Sequence, residues 1–239
     1  MSAVADRLAK VEANVAAACA RAGRARDAVT LIGVSKRKPA ADIADAVRAG
    51  LRDVGENYVQ EATAKLPELD AALAGHPRPR LHFIGQLQRN KAGPVARDFD
   101  VVHTLDRASL GEALERRAEA ADRSLEALIQ VDLSDEPQKG GVPPEGVAAL
   151  LAESRSWSRL RVTGLMAIPR STDTPEAMRP AFVALRELRD ALRGEPGAES
   201  LHELSMGMSA DYEVAIEEGA TIIRVGTAVF GPRPQGGPA

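Results

Sequence analysis

The sequence predicts an α/β fold, a single-domain (β/α)8 TIM barrel with an extra N-terminal helix, and three observations carry that prediction. Eight short apolar runs, each too brief for a helix, alternate with segments of helical periodicity. The length, 239 residues, is that of one such barrel. The glycine signatures of open nucleotide-binding sheets, GxGxxG after the first strand and GxxxxGKS or GxxxxGKT, are absent, so the doubly wound sheet is the alternative with less support.

Residues 2–21 form the additional helix: Val4, Leu8, Val11, Val15 and Ala18 recur at spacings of three and four, and Gly23 stops it. The first strand is the apolar, β-branched run 29–36, VTLIGVSK, and Pro39 opens a helix over 40–49 that Gly50 ends. A strand over 53–57 and a helix over 58–66, ended near Pro67, follow. The third strand covers 80–85 with LHFIG at its centre, then come a short helix over 87–96, a strand over 101–105 and a helix over 107–121 with Leu110, Ala113 and Leu114 on one face. The fifth strand covers 127–132, and a loop with Glu136, Pro137 and a Lys139-Gly140-Gly141 turn leads to a helix over 144–154. The sixth strand, 161–168, precedes a helix over 175–193 carrying Phe182, Leu185, Leu188 and Leu192 on one side. The seventh strand covers 203–206, a helix with Ser209 as N-cap covers 210–218, and the eighth strand, TIIRVGTAVFG, covers 221–230. No composition shift divides the chain, so one domain over 1–231 and a disordered tail over 232–239, PRPQGGPA, are expected.

Composition excludes several functions. Apolar residues make up 44%, enough for a sizeable core, and 31 Lys plus Arg against 34 Asp plus Glu leave no basic excess for nucleic acid. Aromatics are only 3%, too few for a stacking platform on single strands. The single Cys19 rules out an intramolecular disulfide, and no GxSxG elbow supports acyl transfer. No apolar run approaches the ~18 residues of a membrane span. The start, MSAVADRLAKVEANV, lacks a secretory pattern, so a cytoplasmic protein is expected. His82, His103 and His202 show no metal-ligand spacing; hydrogen bonding is the expected role and no metal is expected.

In such barrels chemistry sits where the strands end. Lys36 ends the first strand, with Ile32 and Val34 on its face of the pleat. Partial burial favours a free amine able to form an imine with an aldehyde; the alternative is a solvated basic cluster with Arg37 and Lys38. Arg224, alone in an apolar strand, needs a ligand or an internal partner such as Glu56 or Asp132. Ser205, Gly207 and Ser209 after the seventh strand, and Gly226 and Thr227 in the eighth run, offer hydroxyls and close backbone approach suited to phosphate, or simply turn chemistry. Met206 and Met208 fill gaps or pack on a flat ring. Arg89, Lys91 and Arg97 read as a solvated face. A lysine, a phosphate cradle and an arginine around one mouth suit an aldehyde bearing a phosphate, such as pyridoxal 5′-phosphate (PLP) or a phosphorylated sugar.

VSKRKP from Val34, VGENYVQEA from Val54, HFIGQLQRNK from His82, VHTLD from Val102, GLMAIP from Gly164, LSMGMSADYEVAI from Leu204 and IRVGTAVFG from Ile223 follow in order over 29–231. On these motifs the chain resembles the pyridoxal phosphate homeostasis protein family. The resemblance implies a PLP-binding barrel like the N-terminal domain of alanine racemases, PLP fold type III-like, with Lys36 forming the internal aldimine. It places Arg224 at the pyridine nitrogen, Ser205, Gly226 and Thr227 at the phosphate, and Asn57, His82, Ile84 and Met166 near the ring, with Gly207 also among the cofactor-binding residues. Arg37 stands where Thr is common, and Gln86 and Arg89 fill variable positions. A fixed cation at the pyridine nitrogen weakens the ring as an electron sink. The resemblance places a racemase's second base, a tyrosine, in a further C-terminal β-domain, and here only Tyr58 and Tyr212 are available to substitute. The expectation is therefore not an enzyme but a monomeric carrier or buffer of PLP, with PLP-dependent apoenzymes as candidate receivers and a part in vitamin B6 and amino-acid homeostasis. A slow PLP-dependent racemase or lyase, and an aldolase-like barrel acting on a sugar phosphate, are the alternatives.

Overall fold

The computed structural model describes residues 2–133, 140–169 and 172–232. Eight parallel strands close into a barrel in chain order, β1 (Thr30–Val34), β2 (Asp53–Glu56), β3 (Arg80–Phe83), β4 (Val101–Leu105), β5 (Leu125–Gln130), β6 (Leu160–Met166), β7 (Glu203–Ser205) and β8 (Ile222–Val225), and β8 pairs with β1 to complete it. Helices return the chain between strands: α2 (Ala40–Arg48), α3 (Val59–Ala72), α4 (Ala92–Asp98), α5 (Ala108–Ala120), α6 (Val147–Ser154), α7 (Arg179–Ala191) and α8 (Tyr212–Glu217). The extra helix α1 (Ala3–Arg21) is capped by the Ser2 hydroxyl and buries Val4, Leu8, Val11, Val15, Ala18 and the free Cys19. This is the (β/α)8 fold that the alternation of periods predicts. No helix among the described residues is long and apolar enough to cross a membrane.

The alternation within each strand sorts side chains between two cores. Leu31, Val54, Leu81, Leu165, Ile223 and Val225 face outward into the large core shared with the helices. Ile32, Val101, Leu128, Met166 and Ile222 form a second, inner cluster that fills the barrel. Because side chains alternate with period two, whatever follows an inward residue two positions later sits one layer nearer the mouth.

Strand ends shift by up to two residues from the sequence reading, the helix expected over 87–96 runs Ala92–Asp98, and four further differences have a structural reason. The eighth run does not stay extended: after Gly226 the chain turns into the short helix α9 (Thr227–Phe230), which buries Val229 and Phe230 and lays the Phe230 ring against Gly33. Pro67 does not end α3, which continues to Ala72 because Leu69 is buried along it and Leu73 at its end, and that burial outweighs one lost backbone bond. Ser209 is not the cap of α8; Asp211 occupies that position. The 175–193 segment begins as a 3-10 turn, Pro175–Met178, capped by the Thr174 hydroxyl, before α7 proper. Of the loop singled out before α6, residues 134–139 lie outside the described residues, as does the expected tail beyond Pro232.

Candidate cofactor site at the barrel mouth

Lys36 reaches the mouth by the strand period. Ile32 fills the barrel, Val34 stands above it, and Lys36, two residues further on and half-buried, lines a cavity of about 410 Å³ at the strand ends. The same step takes Gly55 to Asn57, His82 to Ile84, Met166 to Ile168 and Arg224 to Gly226, and the second member of each pair lines that cavity.

The turn that carries Lys36 is held on both flanks. On one side the Ser35 hydroxyl donates to Glu56 at 2.6 Å, and Lys65 donates to the same carboxylate oxygen at 2.8 Å. Burial pushes the Glu56 carboxyl above its usual range, although Lys65 and Ser35 pull it back. On the other side Lys38 is buried and donates to the carbonyls of Phe230 and Pro232 at 2.9 and 2.7 Å, tying the turn to the end of the barrel. The basic trio therefore splits: Arg37 is exposed, Lys38 is structural, and Lys36 faces the cavity. Arg37 between them takes φ +59°, a left-handed conformation that costs a non-glycine residue of order 1 kcal/mol or more. Its N–H donates to Glu61 and its guanidinium lies 5.8 Å over the Tyr58 ring.

Arg224 reaches the cavity from β8 and is 5% exposed. It donates to the Ser205 hydroxyl at 2.5 Å and to the Ala167 carbonyl at 2.9 Å. Burial lowers its pKa to about 10, with Asp211 opposing the fall, so it stays a cation at neutral pH. Glu56, one of the two internal partners considered from sequence, is committed to Lys65 instead. Ser205 also bonds His103 at 2.9 Å, His103 bonds His82 at 2.9 Å, and His82 bonds Asp53 at 2.9 Å. Two histidines that look isolated in the sequence thus meet on neighbouring strands.

Six of the ten residues singled out from sequence line the cavity together: Lys36, Asn57, Ile84, Arg224, Gly226 and Thr227. The other four stand beside or below it. His82, Met166 and Ser205 are buried one layer deeper in the barrel. Gly207 adopts φ +91°, and a Cβ there would stand 2.6 Å from the Ala215 methyl, so it shapes the loop after β7 by letting α8 pack closely. Ser209 proves to be part of the wall: its hydroxyl accepts the Gly226 N–H at 3.2 Å, joining the loop after β7 to the end of β8. Val34, Ile168 and Met208 supply apolar walls that the sequence reading did not assign to the site, apart from the remark on methionine packing. The period-two step from Met166 is the signal that finds Ile168.

Three buried side-chain atoms have no hydrogen-bond partner among the described residues, Glu56 Oε2, Asn57 Oδ1 and Thr163 Oγ1, and of these three residues only Asn57 lines the cavity. Its backbone is fixed by close approach, because a Cβ on Gly85 would stand 2.0 Å from the Asn57 carbonyl oxygen. Apolar walls, an amine, a buried cation, an unpartnered amide and two hydroxyls make a site for a flat, polar-edged ligand carrying an anionic group.

The sequence matches the family described as alanine racemase, N-terminal domain, over residues 7–234. It is 45% identical to the pyridoxal phosphate homeostasis protein of Pseudomonas aeruginosa over 239 residues, all of both chains. It is 41% identical to that of Escherichia coli K12 over 234 residues, 98% of each chain. Among solved structures, PipY of Synechococcus elongatus with PLP bound is 37% identical, with a TM-score of 0.82 over 95% of this chain and all of that one. The alanine racemase of Corynebacterium glutamicum, 16% identical with a TM-score of 0.63 over 98% of this chain and 63% of that one, shares the fold. On the likeness to full-length relatives and on the barrel just described, the chain belongs to the pyridoxal phosphate homeostasis protein family.

Proposed function

We propose that this protein binds PLP covalently through Lys36 and acts as a carrier or buffer of it, in vitamin B6 and amino-acid homeostasis, without substantial catalysis of its own. The observation that carries the reading is that Lys36, Arg224 and Asn57, whose Oδ1 has no partner among the described residues, line one cavity of about 410 Å³, within the size range of cofactor sites. The names of the relatives and the PLP in the PipY structure support it. When bound, PLP supplies an aldehyde that a lysine amine condenses with, releasing water.

The residues divide the work. The turn braced by Ser35 and Lys38 holds the Lys36 amine at the mouth. Arg224 presents a permanent donor on the ring-nitrogen side, and Asn57 offers its amide at the ring edge. Val34, Ile84, Ile168 and Met208 exclude water from the ring faces. Gly226, Thr227 and Ser209 hold the phosphate; Ser205, at 0% exposed and bonded to Arg224, supports the arginine instead.

The same residues argue against turnover. A cation facing the pyridine nitrogen opposes protonation there, the step that would make the ring an electron sink. Neither tyrosine lines the cavity: Tyr212 is buried with its hydroxyl accepting from Asn14 of α1, and Tyr58 is 47% exposed beneath Arg37. No second base faces Lys36 from either of them. The protein is read as monomeric and cytoplasmic, delivering PLP to apoenzymes that depend on it.

The test is the visible absorption of protein loaded with PLP and freed of excess, beside Lys36→Ala treated identically, followed by incubation with amino acids. Wild-type protein should keep an imine band that borohydride removes, Lys36→Ala should keep none, and no amino acid should turn over. Loss of the band from neither protein places the cofactor elsewhere, and Lys36-dependent racemisation or elimination would make it a slow PLP enzyme.

A further inference from the structure

The inner barrel holds, beside its apolar layer, a line of polar groups of which only Arg224 lines the cavity. Arg224 bonds Ser205, Ser205 bonds His103, His103 bonds His82 and His82 bonds Asp53, at 2.5, 2.9, 2.9 and 2.9 Å. The line crosses from β8 through β7, β4 and β3 to the first residue of β2. His82 and His103 are 1% and 0% exposed, and only Asp53, at 16%, borders solvent.

Its direction follows from what each group can do. A guanidinium only donates, so the Ser205 oxygen accepts from Arg224. A carboxylate only accepts, so His82 Nε2 carries hydrogen toward Asp53. Full burial, with His82 and Arg224 nearby, holds His103 well below the usual histidine pKa, and it is neutral with one N–H. With a single N–H on His82, which Asp53 takes, one arrangement then gives every donor hydrogen an acceptor. Ser205 donates its hydroxyl hydrogen to His103 Nδ1, His103 Nε2–H donates to His82 Nδ1, and His82 Nε2–H donates to Asp53. In the reverse arrangement Ser205 would receive hydrogen from both Arg224 and His103, and its own hydroxyl hydrogen would have no acceptor in the line.

We infer that Asp53, His82, His103 and Ser205 are positioning residues for Arg224, forming a one-way hydrogen-bond chain that carries the pull of the Asp53 carboxylate across the barrel to the guanidinium at the cofactor site. Bonds in such a chain polarise one another, so removing the charge at one end loosens the grip at the other. Filling this space with apolar side chains, as Ile32, Val101, Leu128 and Met166 do beside it, is the ordinary solution for a barrel interior. A buried polar line is worth its desolvation only where every member is bonded, and here the line ends on Arg224, a buried cation that lines the cavity. Arg224 is thereby oriented before any ligand arrives. The inference rests on the PLP reading, since the consequence of fixing Arg224 is how the site holds the ring.

The test has two arms. In ligand-free, 15N-labelled protein, long-range proton–nitrogen spectra should report His82 and His103 both as the Nε2–H tautomer, and Asp53→Asn should lose that uniformity. In PLP-loaded protein, Asp53→Asn should weaken PLP binding about tenfold, or ~1.4 kcal/mol, and shift the cofactor absorption band. Asp53→Glu should restore much of both, and Ser205→Ala should reproduce the shift. An Nδ1–H tautomer at His103 in wild-type protein would reverse the chain and overturn the inference. So would a folded Asp53→Asn protein whose PLP affinity and spectrum match wild type. Wild-type protein that retains no PLP would instead sink the cofactor reading first, whatever the tautomers.

Discussion

At the end of the barrel where the strands begin, Arg80 and Arg161 both reach Glu126 across β3, β5 and β6, and the Thr221 hydroxyl donates to Glu203. At the end where they finish, Asn57 Oδ1 lacks a partner among the described residues, Arg37 holds a left-handed backbone, and the large hydrophobics Tyr58, Ile168 and Met208 are exposed. One end closes its charges on each other. The other keeps polar and apolar surface in reserve, and that reserve lies around Lys36 and Arg224. This barrel thus gathers closed ion pairs at one end and open binding surface at the other, so changes at Glu126 and at Lys36 should have separable effects.

The largest effect should come from Lys36→Ala, which should abolish covalent PLP retention while moving the melting temperature by no more than about 3 °C, since it removes no core contact. A comparable loss of stability would break the separation. Leu128→Ala, in the inner cluster, should cost about 2–5 kcal/mol in denaturant unfolding, with the folded fraction still retaining PLP. Gly207→Ala should sharpen the contrast from the mouth side. Strain at φ +91° and the contact with Ala215 should cost about 1–3 kcal/mol and weaken PLP binding together, because that loop serves both.

Glu126→Gln probes the closed end through pH. Burial pushes the Glu126 carboxyl up, but hydrogen bonds and charge from Arg80 and Arg161 outweigh it and leave the pKa lowered. A lowered folded-state pKa stabilises above the ordinary carboxylate value of about 4.3 and is lost as pH falls through the folded value. The variant should therefore be less stable at neutral pH by under about 1 kcal/mol, since both arginines are largely exposed. The gap should close in unfolding curves recorded at progressively lower pH. The smallest effect, a gain of a few tenths to about 1 kcal/mol, is expected for Arg37→Gly, which relieves the left-handed turn beside Lys36.

Much of the site was legible because strand-end positions follow from the period of two. Lys36, Arg224 and Gly226 can be placed at a mouth once the strands are recognised, whereas Ile84 comes only from the family resemblance. His82 and Met166, which the family resemblance puts near the ring, lie buried below the residues that line the cavity, and the period says only which face a residue takes, not how far along the barrel the cavity begins. Ser209 was read as a helix cap because Ser before a helix is a cap signal; its bond to Gly226 comes from a strand 17 residues later. The eighth strand was overrun because TAVF is as β-prone as IIRV, and only packing against Gly33 turns it into α9.

By itself, then, the sequence determined the alternation of strands and helices, the inward and outward faces, and a lysine and an arginine at strand ends. Those are local consequences of side-chain shape and spacing. Tertiary structure decided which buried polar groups meet. Ser205 and His103 lie 102 residues apart, and His82 and Asp53 lie 29 apart. No local propensity encodes such pairs, because they exist only once β8 pairs with β1 and the sheet closes on itself. Closure also leaves Asn57 Oδ1 without a partner among the described residues and gives Lys38, rather than Lys36, to the carbonyls of Phe230 and Pro232.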